Sequence, residues 1–360
     1  MIRVTNYRVG IIGTGFGARV HAPMMNLHNG FEVVAIASVR GNVDSARKLS
    51  GIDNIYTDWK AMLEQESLDL LVVASAVFAH EEMVQTAFAK GLHVLCEKPM
   101  ALNAAETEDM IAARDQAGKW GFINHEFRFL PAQMKVKAMI ENGDLGNVMH
   151  IRYAYTHTAY TPLTSKRRGW LGQKEDGGGL LNALGSHMID SLHWWTNSSM
   201  KALNANLITH VPEYTDEEGN VEHRTADDAF QVIGSLQNNS TVMLDLISAA
   251  RKASHTKRLE VFGDQGTLVM LDDTSLFASS GEQPFEEVSL DPGLTAPDTV
   301  SAAVASHYSS FRPMLDALHE TLQTGQKHMT LADFENGQTT QKVLDAIRQS
   351  AREEKKVVLE

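Results

Sequence analysis

Apolar residues fall on successive positions in five short runs of the first 125 residues: YRVGIIG (7–13), FEVVAIAS (31–38), LDLLVVAS (68–75), LHVLCE (92–97) and WGFIN (120–124). Runs without alternation predict strands of a parallel sheet covered on both faces. Between them ARVHAPMMNLHN, NVDSARKLSG, DWKAMLEQ, HEEMVQTAFAKG and NAAETEDMIAARDQAG read as helices, and several end in glycine, a C-cap signal. This alternation predicts a doubly wound α/β domain over 1–125. The pattern then changes. A helix over 131–142 is expected, then a strand of mixed polarity at 148–157 and a long loop over 158–179. Strands follow at 203–210, 228–236, 241–249, 258–262 and 267–271 without helices between them, so antiparallel pairing is expected. The stretch 280–305, rich in Ser, Pro, Glu and Asp, reads as a surface loop, and helices near 306–324 and 331–353 finish a second domain over 126–360. The C-terminal helix is free to pack back on the first domain.

A chain of 360 residues suits two domains, and 43% hydrophobic residues suffice for two cores. The balance of 32 basic against 45 acidic residues, a net charge of −13, argues against nucleic acid or an anionic membrane as the main partner. A single cysteine, Cys96, excludes an internal disulfide and fits a reducing cytoplasm. The opening residues carry no uninterrupted apolar region of the kind a secretion signal has, and no apolar run reaches the roughly 18 residues of a membrane span. A cytoplasmic protein is the expectation.

Chemistry begins at GTGFGA, where Gly13, Gly15 and Ala18 fit G-x-G-x-x-[G/A] between a strand and a helix. Such a turn lets backbone approach a pyrophosphate at a helix N-terminus, so a dinucleotide is expected, with Phe16 beside it. An acidic residue closing the second strand would bind the ribose hydroxyls of NAD; here Ser38 is neutral and Arg40 follows, which favours NADP over NAD. Arg40 also reads as an ordinary solvated loop residue. HVLCEKPM places Glu97 and Lys98 at the carboxyl end of a strand, the edge where open α/β sheets bind ligands. With Ser75 and His80 after the preceding strand, they are further candidate cofactor contacts. A lysine there can hydrogen-bond a substrate hydroxyl, and desolvation beside a nicotinamide would lower its pKa towards proton relay. Pro99 biases Lys98 towards an extended conformation.

The order GIIGTGFGARVHAP, EKPMALNAAE, FRFLPA, IENGDLGNV, GGGLLNALGSHMIDSLHWW, LEVFGDQGTL and DFENGQTTQKVLDAIRQSAREEKKV resembles, almost end to end, the glucose–fructose oxidoreductase/inositol dehydrogenase (Gfo/Idh/MocA) family. The resemblance implies a Rossmann domain plus an α/β domain with a large, mostly antiparallel open sheet, often used for oligomerisation. A homodimer or homotetramer through that sheet is therefore expected. It also implies a nicotinamide cofactor, a sugar, polyol or related substrate, and a catalytic role for Lys98.

In sugar-oxidising members an aspartate lies four residues before the histidine of the glycine-rich helix. Here His187 is present, but that position is Ala183. Asn182 stands one residue away, roughly 100° around a helix, and takes over the role only if the helix starts later or is distorted. By spacing, His187, Asp190 and Ala183 share one helical face, opposite an apolar stripe of Leu184, Met188, Leu192 and Trp195. By spacing alone His187 reads as a helix histidine satisfied locally; the resemblance makes it a substrate-facing acid/base group. Asp190 either orients His187 or pairs with a surface cation. Asn182, Asp190, Tyr155, His157 and Arg128 are the candidate substrate contacts, with His125, Tyr153 and Lys166–Arg168 nearby. Tyr153, Tyr155 and His157 share a strand face, which suits sugar recognition or a subunit interface equally. No histidine pair shows metal-ligand spacing. The reading is an NAD(P)-dependent oxidoreductase of a sugar-like substrate. The alternatives are a glycoside-cleaving enzyme that oxidises transiently, or a regulator without chemistry, which the loss of the aspartate motivates.

Overall fold

The computed structural model describes residues 6–39 and 43–359. It divides into two units: Met1–Phe129 with Gly293–Gln338, and Leu130–Pro292 with Thr339–Glu360. The expected two continuous domains thus differ from the structure in one respect: residues 293–338 return to the first unit. The cause is the helix Ala302–Thr324, whose stripe of Val304, Phe311, Met314, Leu315 and Leu318 shares a core with Val9, Ile11 and Val33. This is the penultimate helix rather than the last. The last, Phe334–Glu353, buries Val343, Leu344 and Ile347 in the second unit's core.

The first unit holds β1 (Tyr7–Ile12), β2 (Phe31–Ala37), β3 (Ile55–Tyr56), β4 (Leu70–Val73), β5 (His93–Cys96) and β6 (Gly121–Ile123). They form one parallel sheet in the order β3-β2-β1-β4-β5-β6. The unalternating apolar runs have their explanation in β4: Leu70 and Val72 enter one core, Leu71 and Val73 another on the opposite face.

The second unit holds β7 (Val148–Thr156), β8 (Met200–Ile208), β9 (Glu213–Thr215), β10 (Val221–His223), β11 (Ala229–Leu236) and β12 (Thr241–Ile247). It continues with β13 (Lys257–Gly263), β14 (Gly266–Leu271), β15 (Ser275–Ser280), β16 (Glu286–Glu287) and β17 (Val357–Val358). A nine-stranded sheet runs β16-β15-β14-β13-β7-β12-β11-β8-β17, antiparallel throughout except for the parallel pair β7–β12. Its inner face (Ile151, Tyr153, Val232, Leu244, Val261) packs on Val136, Met188, Leu192 and Trp195 of the helices Pro131–Glu141 and Ser186–Thr196. The apolar stripe expected of the second helix is therefore where the sequence puts it.

The expected long loop over 158–179 contains a helix, Tyr160–Ser165, and a turn, Gly169–Gly172. Both hang on the β9–β10 hairpin, which the sequence pattern does not announce. Arg224 is buried against Glu222 at 3.0 Å and donates to the carbonyls of Leu163 and Lys166, while Glu222 accepts from the amides of Arg168 and Gly169. Among the described residues no helix is long and apolar enough to cross a membrane, and no group of three or more His, Cys, Asp or Glu is placed to hold a metal ion.

Candidate active site

The glycine turn follows β1 directly. Gly13 has φ +137°, and a Cβ there would lie 2.1 Å from the Ala74 carbonyl oxygen, so the close approach of β1 and the end of β4 requires glycine. Ala18 is fully buried in the core beneath the sheet. Gly15 differs: a Cβ on it would meet nothing within 4 Å. Open space over a backbone at a helix start is what an incoming pyrophosphate needs, and these residues fit a dinucleotide. The helix opens with a π-turn, Gly17–His21, in which the Ala22 amide donates to the Gly17 carbonyl. Phe16 packs edge-on against His21 and His307, at centroid distances of 5.4 and 5.2 Å. Ser38 is buried just past β2; Arg40 lies outside the described residues.

At the end of β5, Glu97 is buried and accepts hydrogen bonds from His21 Nε2 and Asn124 Nδ2, each at 2.7 Å. Burial opposes its charge, but the bonds from His21 and Asn124 and the charges of His21 and Lys98 prevail and bring its pKa to about 2. Glu97 is therefore a fixed anion, and Lys98, half-buried, is the next residue along the strand edge; the Lys98–Pro99 peptide is cis. His21 and Asn124 are residues the sequence reading missed. His21 has only its place one turn beyond the glycines as a signal, and Asn124 only the end of β6.

His80 does not present a free edge. It is buried, its Nε2 lies 3.2 Å from the Ser75 carbonyl, and its Nδ1 lies 3.5 Å from Cys96 Sγ and 3.3 Å from the Met100 carbonyl. Burial lowers its pKa, so the ring is neutral with one N–H. The consistent assignment has Nε2–H donating to Ser75 and Nδ1 accepting from the Cys96 thiol. His80 ties the Ser75 loop to the loop after Lys98, and Ser75 itself is half-buried with its hydroxyl 3.3 Å from the Ala76 carbonyl. Arg128 is likewise buried, 3.4 Å from the Thr330 carbonyl, and anchors the returning segment rather than a surface.

In the second unit the residues before His187 are not a plain α-helix. Leu181–Gly185 is a π-turn, with the Ser186 amide donating to the Leu181 carbonyl five residues back. The glycines before it are fixed by what surrounds them. Gly179 has φ +101°, and a Cβ on it would lie 2.3 Å from Asp227 Oδ1. His187 and Asp190, in the helix Ser186–Thr196, are both buried. Asn182 is buried too, yet its amide is engaged at both ends: Nδ2 donates to the Gly177 carbonyl at 2.9 Å, and Oδ1 accepts from Arg348. The distortion on which Asn182's candidacy depended is present, but its carboxamide serves the loop and the last helix.

Along β7 one face grades from core to rim. Tyr153 is buried against Trp195, Tyr155 is half-buried, and His157 is exposed with Nδ1 3.0 Å from Ser248 Oγ. Of this trio, Tyr153 is a core residue. Tyr155 sits beneath the ammonium of Lys257, 5.1 Å from its ring centroid, and Lys257 pairs with Asp273 at 2.5 Å.

A family model described as an oxidoreductase family with an NAD-binding Rossmann fold matches residues 7–125, and the model of its C-terminal α/β domain matches 137–359. The chain belongs to the Gfo/Idh/MocA family. As a member it is an NAD(P)-dependent oxidoreductase, and its Rossmann unit is the one that binds the nicotinamide dinucleotide. The chain is 27% identical to an uncharacterized oxidoreductase of Synechocystis over 98% of this chain and 96% of that one. It is 26% identical to the myo-inositol 2-dehydrogenase of Thermotoga maritima, over 72% and 74% of the two chains. Among solved structures, levoglucosan dehydrogenase in complex with NADH and L-sorbose superposes with a TM-score of 0.86 at 21% identity, over 99% of each chain. That likeness shows that the Gfo/Idh/MocA fold extends over the whole chain.

Proposed function

We propose that this oxidoreductase acts on a hydroxyl or carbonyl carbon of a sugar, polyol or related compound, with NADP preferred to NAD. The observation that carries the reading is the Glu97 anchor. A buried anion held by His21 and Asn124 sets the end of β5, and with it the backbone from which Lys98 reaches the carboxyl edge of the parallel sheet. A nicotinamide bound at the glycine turn supplies the hydride donor or acceptor. Gly13 and Gly15 hold the pyrophosphate, Phe16 and Ser75 line its path, and Ser38 with Arg40 meets a 2′-phosphate. Lys98 hydrogen-bonds the substrate oxygen and His187 exchanges its proton, with Asp190 fixing the imidazole tautomer. Tyr155 and His157 offer an aromatic, hydrogen-bonding rim for a polyhydroxyl compound. The relatives named as dehydrogenases of inositol and levoglucosan support this class of substrate.

Association through the outer face of the nine-stranded sheet belongs to the same proposal. Exposed Ile233 and Met243 are cross-strand partners there, continued by Arg152 and Glu260. The test is nicotinamide absorbance across a panel of sugars and polyols with both cofactors, wild type against Lys98→Ala. Loss of about 100-fold or more in turnover supports the reading; full turnover in Lys98→Ala overturns it. Cofactor binding with no hydride transfer across the panel turns the reading towards a regulator. Arg40→Ala is expected to cost NADP about tenfold in KM and leave NAD unchanged.

A further inference from the structure

We propose that Arg348, 166 residues away from Asn182 in sequence, is a positioning residue for His187, acting through the π-turn; the inference rests on the role given above to His187. Arg348 lies on the last helix with its side chain 18% exposed. Its guanidinium is divided between two acceptors: NH1 donates to Asp345 Oδ1 at 2.9 Å, one turn back, and NH2 donates to Asn182 Oδ1. Asp345 is itself held by Gln341 Nε2 at 3.1 Å, so the guanidinium is steered from its own helix.

The π-turn is also gripped by Asp227, whose Oδ2 accepts the Leu181 amide at 2.7 Å and whose carbonyl accepts the Leu180 amide at 3.0 Å. Burial raises the Asp227 pKa, while the Leu181 amide and the charge of Arg348 work against that shift. The first two residues of the turn are thus each held by a polar side chain, Leu181 by the Asp227 carboxyl and Asn182 by the Arg348 guanidinium. Both bonds that close the turn come from Ser186: its amide to the Leu181 carbonyl, and its hydroxyl to the Asn182 carbonyl at 2.6 Å. His187 is the next residue. Relaxing the turn to the ordinary α-helical pattern would rotate the helix beyond it by up to roughly 100°. Fixing the turn therefore fixes the direction of the His187 imidazole. A π-turn held by these buried bonds keeps a register that local sequence preference would abandon.

The test uses the full chain with ¹³C-labelled histidine, the His187 signal being assigned by its loss in His187→Ala. In Arg348→Lys, which keeps the cation but not the two-armed reach, the His187 resonance is displaced while that of His150, on β7, is unmoved. Asn182→Leu removes the acceptor instead of the donor and gives the same displacement, so the inference survives the misfolding of either variant. In parallel, Arg348→Lys lowers turnover of the panel substrate by about 10- to 100-fold in the wild type, and by less than about twofold in a His187→Ala background. An unmoved His187 resonance in the folded variants, or an equal loss in both backgrounds, overturns the positioning role. Full turnover in His187→Ala overturns instead the acid–base reading of His187, while the displaced resonance still reports the grip.

Discussion

Among the described residues there are two π-turns, one in each unit, and the surrounding side chains take a different residue of each. Gly17–His21 follows the dinucleotide turn and ends on a histidine. Leu181–Gly185 follows a glycine run and has a histidine two residues beyond its end. In the first turn the histidine is consumed: His21 is fully buried, bound to Glu97 and packed against Phe16 and Phe311. In the second, Asn182 is consumed by Gly177 and Arg348, and the histidine lies past the grip. A histidine near a glycine-rich helix start is therefore not evidence of one role. What matters is which residue of the turn the surrounding charges take.

That contrast can be broken experimentally. His187→Ala is expected to reduce turnover about 10³-fold, near 4 kcal/mol of transition-state free energy. His21→Ala should act on the fold, removing about 3 kcal/mol of stability because the buried Glu97 carboxylate keeps only Asn124 of its two donors. Thermal melts and turnover measured on the same two variants decide it. Unchanged turnover in His187→Ala, or unchanged stability in His21→Ala, would erase the distinction between the turns.

Glu97 sharpens the comparison through pH. Its folded pKa of about 2 lies below the ordinary 4.5, so its ionisation stabilises the fold fully above pH 4.5 and progressively less as pH falls towards 2. The stability gap between wild type and Glu97→Gln, read from denaturant midpoints, should be on the order of 3 kcal/mol at neutral pH and close in that acid window. No such acid loss is expected on replacing Asn182, which does not titrate. Gly179→Ala should cost about 1–3 kcal/mol, less than Gly13→Ala, because the Asp227 side chain can give way where the Ala74 backbone cannot. Melting temperatures of the pair rank them.

Much of this was legible in the sequence where the cause is local. Apolar runs marked β1, β2, β4, β5 and β6, the glycines marked the turn, and the spacing of Met188, Leu192 and Trp195 marked the buried stripe. The π-turns were not legible, since a backbone bond five residues back leaves no local signature. Nor was the β9–β10 hairpin, whose purpose is to supply Glu222 and Arg224 to a loop some 55 residues earlier. β15 reads as SLFASS, too rich in serine to stand out, and β16 is only two glutamates, so the pattern stopped at β14. The return of 293–338 depends on a stripe of Ala302–Thr324 that fits either core by composition. Asn182 had the right distortion but the wrong freedom, because its partner lies on the last helix.

The single parallel pair in the large sheet also governs how the chain is made. β7 sits between β12 and β13, and its pairing with β12 spans 91 residues from His150 to Thr241. At synthesis rates of roughly 5–20 residues per second, β7 leaves the ribosome about 5–20 seconds before either neighbour exists. During that interval the strand bearing Tyr153 and Tyr155 has two open edges and an apolar face. The nascent second unit thus carries open strand edges through that interval, and slowed translation between residues 157 and 257 would lengthen their exposure.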